Sequence, residues 1–241
     1  MIHTHGLVKR FGKRTVLDGL DATVAAGRIT ALVGPNGAGK TTFLKVLLGL
    51  ARADAGQVRI GDQLLDGTPG YRAKIGYMPQ IAHFPAHLRG RDLLAMVTAL
   101  RGGNESADLR LAEAFALDEP LDRPLGQLSG GTRQKINAVL AFAFHPALLI
   151  LDEPTAGLDP LAARILKDRI LEERTRGTTV LITSHVLPEL EELADDVLFL
   201  VEGKAAWAGE VKALTHGTGE RTFERAIARL LSGGAPRLAV A

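Results

Sequence analysis

Between the apolar run Arg28-Ile29-Thr30-Ala31-Leu32-Val33 and the helix-type run Thr42-Phe43-Leu44-Lys45-Val46-Leu47-Leu48 stands the segment Gly34-Pro35-Asn36-Gly37-Ala38-Gly39-Lys40-Thr41-Thr42. A strand, a glycine-rich turn closing in Gly-Lys-Thr, and a helix form the context a Walker A phosphate loop requires, and they commit the chain to an α/β core. Glycines let the backbone wrap closely round a phosphate and turn its N–H groups inward. The helix start adds its positive dipole end and unpaired donors. Lys40 is placed to reach β- and γ-phosphates, and the Thr41 hydroxyl to ligate Mg²⁺. A glycine turn without a ligand is the competing reading, and it leaves the lysine, the hydroxyl and the flanking periods unexplained.

Composition narrows the rest. The chain has 241 residues, 46% of them hydrophobic, enough for a substantial core. Its 29 Lys and Arg against 27 Asp and Glu give a net charge of +2, too even to argue for bulk nucleic-acid binding. It has no cysteine, which excludes disulfides, thiolate metal sites and cysteine catalysis. Met1-Ile2-His3-Thr4-His5-Gly6 lacks a basic-then-apolar signal pattern. No apolar run reaches the roughly 20 residues that span a bilayer; the nearest, Ala138 to Leu151, is broken by His145 and Pro146. The expectation is a soluble chain whose membrane role, if it has one, comes through a partner.

Residues 1–33 read as strands and turns, with Val16, Leu20, Ala22 and Val24 at even spacing. Gln57–Ile60 and Lys74–Met78 read as short strands, the second stopped by Pro79. From Gly90 to Ala116 the apolar spacing predicts two amphipathic helices around a Gly102-Gly103-Asn104 turn. We read residues 81–145 as a helical lobe inserted in the α/β core; helices simply covering one sheet face are the alternative. Ala147–Leu151 is a buried strand, Pro160–Arg174 a helix with Asp159 at its N-cap, and Thr178–Thr183 a β-branched strand. Val186–Ala194 is a short acidic helix and Asp196–Val201 the final strand. Leu231–Pro236 belongs to a loose tail.

Two further stations carry chemistry. Leu148-Leu149-Ile150-Leu151-Asp152-Glu153 sets two carboxylates at the end of a buried strand, the end where open α/β sheets bind ligands. Asp152 is placed to hold Mg²⁺ as a Walker B aspartate and Glu153 to polarise an attacking water. The same pair also suits a capped turn beside a solvated glutamate, and the phosphate loop upstream favours the catalytic reading. His185 closes the run Leu181-Ile182-Thr183-Ser184-His185. An imidazole there can hydrogen-bond a γ-phosphate and orient Glu153 or the water.

Leu128-Ser129-Gly130-Gly131-Thr132-Arg133-Gln134-Lys135, ahead of an expected helix at Arg133–Phe144, offers a hydroxyl, glycine N–H groups and a helix N-terminus: a second anion site. In this order and spacing the motifs over about residues 1–215 resemble those of the ABC ATPase family, with this run as its signature. The resemblance implies a P-loop NTPase core with a mostly parallel sheet, an N-terminal antiparallel β-subdomain and an inserted helical subdomain. We expect a single domain: core at 1–80 and 146–215, signature lobe at 81–145, tail at 216–241. It implies ATP as ligand with Mg²⁺, sandwiched between the phosphate loop of one copy and Ser129, Gly130 and Gly131 of the other. It further implies that Phe11, where the family more often has tyrosine, stacks on adenine. Thr42 contacts the α-phosphate, and Gln80 contacts Mg²⁺ or the water. Ala156-Gly157-Leu158-Asp159 resembles the D-loop that crosses the dimer interface. Thr132 departs from the glutamine many members carry.

Within the family, single-domain length and the run Ser184-His185-Val186-Leu187-Pro188-Glu189-Leu190-Glu191 resemble ATPase subunits of ABC-2 export type. That run and Tyr77-Met78-Pro79-Gln80 are also similar to the NosF-like subunits of nitrous-oxide-reductase maturation. The implied protein hydrolyses ATP and forms a homodimer or pseudo-twofold dimer on ATP. It drives an integral membrane permease from the cytoplasmic face and makes no direct nucleic-acid contact. The competing classes are a soluble ABC ATPase acting on nucleic acid or ribosomes, and a nucleotide kinase. The kinase leaves the Leu-Ser-Gly-Gly run and His185 without a role.

Overall fold

A computed structural model describes residues 1–103 and 106–232. In chain order the elements are β1 (Ile2–Phe11), β2 (Arg14–Val24), β3 (Ile29–Val33), α1 (Lys40–Leu47), β4 (Ala55–Ile60), β5 (Gln63–Leu64), β6 (Ile75–Met78), α2 (Gly90–Leu100) and α3 (Arg110–Ala114). There follow α4 (Gly130–Phe142), β7 (Leu148–Asp152), α5 (Pro160–Thr175), β8 (Thr179–Thr183), α6 (Leu187–Leu193), β9 (Asp196–Val201), β10 (Lys204–Glu210), α7 (Val211–Thr218) and α8 (Phe223–Leu231). The architecture is α/β. The described residues fall into two compact units, one formed by residues 1–68 with 183–232 and the other by residues 69–182.

The first unit holds an antiparallel sheet in the order β2-β1-β4-β5. Its β1–β2 pair runs from Ile2 opposite Val24 to Phe11 opposite Arg14, closed by a hairpin at Gly12-Lys13. The same unit carries β10-β9-β3. There β3 and β9 are parallel, with Leu32 opposite Leu198, and all five residues of β3 are buried. A strand buried on both faces reads as an unbroken apolar run. The second unit carries β8-β7-β6, with β6 and β7 parallel and Met78 opposite Leu151. The helical lobe expected over 81–145 falls inside this unit, and α2 begins at Gly90 with the Asp92 carboxylate accepting from the Arg89 N–H at 2.8 Å.

Several expectations are corrected. The Asp196–Val201 strand is not the last. β10 returns antiparallel to it, with Val201 opposite Lys204. The turn Glu202-Gly203 has φ of 49° and 77°, the double positive φ of a type I′ hairpin. The small residues of Lys204–Glu210 hid that strand from the alternation test. The described part of the stretch expected as a tail over 216–241 is largely helical. Thr218 ends α7, and α8 buries Phe223, Ala226 and Ile227 at helical spacing. Phe223 also donates its N–H to the Glu191 carboxylate at 3.1 Å. Leu231 closes α8, while Gly233–Pro236 and the turn residue Asn104 lie outside the described residues. The second helix of the Gly90–Ala116 stretch is a short one, α3. The helix expected at Arg133 begins at Gly130, so the signature glycines form its first turn rather than a loop before it.

Candidate functional site

The phosphate loop leaves the buried end of β3 and turns into α1. Its glycines divide their work. A Cβ on Gly34 would sit 2.2 Å from the Leu200 carbonyl oxygen. On Gly39, at φ +105°, a Cβ would meet Leu17 Cδ2 at 2.8 Å and the Val16 carbonyl at 2.9 Å. These two press the loop onto β9 and β2, so their demand for glycine comes from packing rather than from a phosphate. Gly37 is different: the nearest atom to its Cβ would be the Arg14 guanidinium, at 3.5 Å. Gly37 therefore leaves the loop's outer side open.

Helix α1 starts without a side-chain cap and without an acidic residue in its first turn. By contrast, hydroxyl or carboxylate groups of Ser129, Asp159 and Thr222 cap α4, α5 and α8. The first N–H groups of any helix lack intrahelical partners. An uncapped start behind a glycine loop supplies those donors to an anion. Lys40 folds its ammonium onto the loop, donating to the carbonyls of Gly34 at 2.6 Å and Pro35 at 3.2 Å. Thr41 is exposed beside it, Thr42 is half-buried, and Ala38 and Gly39 are buried. Across the β1–β2 hairpin, Phe11 is 54% exposed, and the Lys9 ammonium stands 5.2 Å from its ring centroid. A half-exposed aromatic ring with the Lys9 ammonium over it, together with a donor-rich loop carrying Lys40, fits a nucleotide with its phosphate chain. Sequence reasoning missed Arg14; its place opposite Phe11 in the hairpin was the signal.

The second unit carries the carboxylates. β7 and β6 end at the same edge, the one delivering Asp152 and Glu153 and the other Pro79 and Gln80. Glu153 is 8% exposed and sits at φ +52°, a left-handed backbone that costs a non-glycine residue about 1–3 kcal/mol and clusters at functional sites. Burial, aided by the Asp152 charge, pushes the Tyr77 phenol up, which puts Tyr77 within the field of that carboxylate. Gln80 is exposed. It lines a cleft of about 470 Å³ with His83, Phe84, Gln134, Ala156 and Gly157.

The signature forms the start of α4. Ser129 Oγ accepts from the Thr132 N–H at 3.1 Å, and Arg133 donates to the Leu128 carbonyl at 2.9 Å. Ser129 and Gly130 are exposed. Residues 156–159 lie against this turn: a Cβ on Gly131 would sit 3.1 Å from the Gly157 carbonyl, and Lys135 pairs with Asp159 at 2.8 Å. Asp159 also caps α5 through the Ala162 N–H at 2.8 Å, as the sequence predicted. The Lys135 bond, and then that cap, hold its carboxyl below the usual range. Deeper in α4, buried Asn137 donates to the Pro79 carbonyl at 2.9 Å, tying the signature helix to the backbone just before Gln80. No sequence period flags Asn137, because it occupies an apolar position of the helix.

The structure thus gathers Phe11, the loop from Gly34 to Thr42 and exposed His185 in one unit. It gathers Gln80, Asp152, Glu153, Ser129, Gly130 and Gly131 in the other. Within the second unit, Gln80 and Asp152 carry oxygen donors of the kind a hard cation such as Mg²⁺ takes. Among the described residues no group of three His, Cys, Asp or Glu is placed to hold a metal by protein ligands alone. Also among them, no helix is long and apolar enough to cross a membrane.

A phosphate loop, a strand-end carboxylate pair and a second helix-start anion site define a P-loop nucleoside-triphosphatase. The chain belongs to the ABC transporter family, whose model matches residues 17–156, more than half of its length. It is 36% identical over 207 residues to the lantibiotic transport ATP-binding protein SrtF of Streptococcus pyogenes, covering 85% of this chain and 88% of that protein. It is 37% identical over 211 residues to the Nod factor export ATP-binding protein I of Burkholderia lata, covering 86% and 69%. A solved ATP-binding subunit of an ABC transporter superposes with a TM-score of 0.89 at 28% identity, covering 96% of this chain and 99% of that one. This chain is accordingly an ATP-binding, ATP-hydrolysing subunit of the ABC transporter family.

Proposed function

We propose that two copies of this chain, or this chain and a related one, close on two ATP molecules and drive a separate integral membrane permease from the cytoplasmic face of the membrane. One observation carries the reading: among the described residues, two glycine-bearing helix starts on one chain are suited to an anion. One is α1, uncapped behind the phosphate loop, and the other is α4, with Ser129 exposed. One nucleotide bound at α1 leaves the second site to serve another copy.

In this reading Lys40 and the amides of residues 34–42 bind the phosphate chain, Phe11 stacks on the base, and Ser129, Gly130 and Gly131 close over the γ-phosphate from the partner copy. Thr41, Asp152 and Gln80 would hold Mg²⁺, which would supply charge neutralisation to the phosphate chain. Glu153 orients and deprotonates the attacking water, and His185 holds the γ-phosphate and Glu153 in line. Loss of the γ-phosphate removes the bridge, and the copies part. The helical lobe at 81–145 and the cleft beside Gln80 pass that movement to the permease. The export direction is supported by the likeness to a Nod factor export protein. The narrower similarity to NosF-like subunits rests on Tyr77–Gln80 and Ser184–Glu191 alone. A soluble ABC ATPase working on nucleic acid is not favoured, since the relatives are transport proteins.

The test is the dependence of hydrolysis on protein concentration. An enzyme completed by a second copy gains specific activity as it is concentrated, and loses it with Ser129→Arg while each copy still binds ATP. Specific activity independent of concentration, untouched by Ser129→Arg, would refute the shared site. Co-purification with a polytopic membrane protein tests the permease.

A further inference from the structure

The hydroxyls of Ser129 and Thr132 face each other at 2.8 Å, either one able to donate. Ser129 Oγ already accepts the Thr132 backbone N–H at 3.1 Å. A serine hydroxyl has one hydrogen to give and two lone pairs to fill. With one lone pair taken by the N–H, two arrangements remain. In the first, Ser129 donates to Thr132 and has no hydrogen left for a ligand. In the second, Thr132 donates into the remaining lone pair, and the Ser129 hydrogen points outward.

We propose that Thr132 is a positioning residue for Ser129, setting its hydroxyl as an outward donor to the anion that closes on the start of α4. The proposal rests on the shared-nucleotide reading above. An ionised phosphate offers acceptors only, so its approach selects the second arrangement. The two hydroxyl rotors exchange by rotation alone, with no movement of heavy atoms. Once selected, the Thr132 → Ser129 → phosphate chain polarises the middle hydroxyl, and donation into a hydroxyl oxygen strengthens the bond that hydroxyl gives. Both Ser129 lone pairs are then filled from one residue, which also fixes the direction of its Oγ–H. The backbone cap itself uses only the Thr132 N–H, so the helix start does not depend on the Thr132 hydroxyl. That separates positioning from folding. A glutamine at this position has no hydroxyl to fill the role; a serine does.

The experiment uses the full chain carrying Glu153→Gln, so that Mg-ATP persists. Sedimentation gives the dimer dissociation constant, dilution into a fluorescent ATP analogue gives single-copy affinity, and a melt gives stability. Losing one hydroxyl contact weakens a corner about two- to tenfold, and a dimer has two such corners, so Thr132→Val raises the dimer dissociation constant about four- to hundredfold. Single-copy affinity and melting temperature stay as in the parent, and Thr132→Ser returns dimerisation to within about twofold of it. Ser129→Ala is the control. Dimerisation unchanged by Thr132→Val but weakened by Ser129→Ala overturns the role of Thr132 and leaves the shared site standing. Dimerisation indifferent to both overturns the shared site as well. Loss with Thr132→Val that Thr132→Ser fails to restore also overturns the proposal, because the hydroxyl is then not the active part.

Discussion

Gly39 offers the sharpest test of how the phosphate loop is held. Gly39→Ala would drive a Cβ to 2.8 Å from Leu17 Cδ2 and 2.9 Å from the Val16 carbonyl, both on β2, with the backbone at φ +105°. The left-handed backbone costs a side chain about 1–2 kcal/mol. Forcing a methyl into a packed contact costs about 1–3 kcal/mol more, since the Val16 carbonyl is main chain and cannot swing away. The sum is about 2–5 kcal/mol, and in a domain of this size about 1 kcal/mol moves the melting temperature by roughly 2–4 °C. The melt of Gly39→Ala should therefore fall by about 4–20 °C even without nucleotide. Gly37→Ala, at φ +81° with only the mobile Arg14 guanidinium at 3.5 Å, pays the backbone term alone and should melt about 2–8 °C below the parent. Its defect should appear instead in ATP affinity. Differential scanning calorimetry of both variants, with ATP titrations alongside, decides the matter. Equal melting losses, or the larger loss at Gly37, would refute the division of labour between packing and ligand-facing glycines.

Other outcomes follow from the same geometry. Glu153→Gln should keep ATP binding while phosphate release falls at least about 10²-fold, the usual reach of a general base; near-normal turnover would remove Glu153 from that role. Because Glu153 sits at φ +52°, Glu153→Gly should melt higher than Glu153→Ala, by about 1 kcal/mol, the reverse of the order in a helix or strand. Arg169, 6% exposed, pairs with Asp108 and Glu173 at 2.8 Å each. Arg169→Met removes one partner from each carboxylate, while Asp108 keeps Arg110 at 2.6 Å and Glu173 keeps Thr178 at 2.9 Å, and it should cost about 1–3 kcal/mol in urea unfolding, whereas a surface pair would cost under about 1 kcal/mol. Hydrogen bonds from Arg110, then Arg169, hold the Asp108 carboxyl well below its usual range. A depressed carboxylate lends stability that is complete above its unfolded value near 3.9 and is lost as pH falls from there toward the folded value. The acid limb of a stability–pH curve should therefore flatten in Asp108→Asn below about pH 4.

Much of this was legible in the residues. The order of strand, phosphate loop and helix could be read because Gly34–Thr42 combines turn chemistry with two different apolar periods on either side. Asp159 at the start of α5 was legible because an Asp-Pro pair fits only one end of a helix. What escaped detection shares a cause. β10 is built from small residues whose pairing is set by the Glu202-Gly203 turn, and glutamate is an unusual residue there. α8 was lost to the glycine-rich stretch that follows it, although Phe223, Ala226 and Ile227 carried the helical spacing. Arg14, Asn137 and the Ser129–Thr132 pair act through contacts across the fold or across one turn, which no single period encodes. The strain at Glu153 is invisible in sequence, since nothing in Asp-Glu-Pro-Thr announces a left-handed glutamate.

The central claim is that each copy is half of an ATP-closed pair. The direct measurement is the solution mass of the Glu153→Gln chain, 25.6 kDa as a single copy, by sedimentation with and without Mg-ATP. The account predicts about twice that mass with Mg-ATP, reverting to one copy when Ser129→Arg is added. A single-copy mass at saturating Mg-ATP, with nucleotide bound, would contradict it.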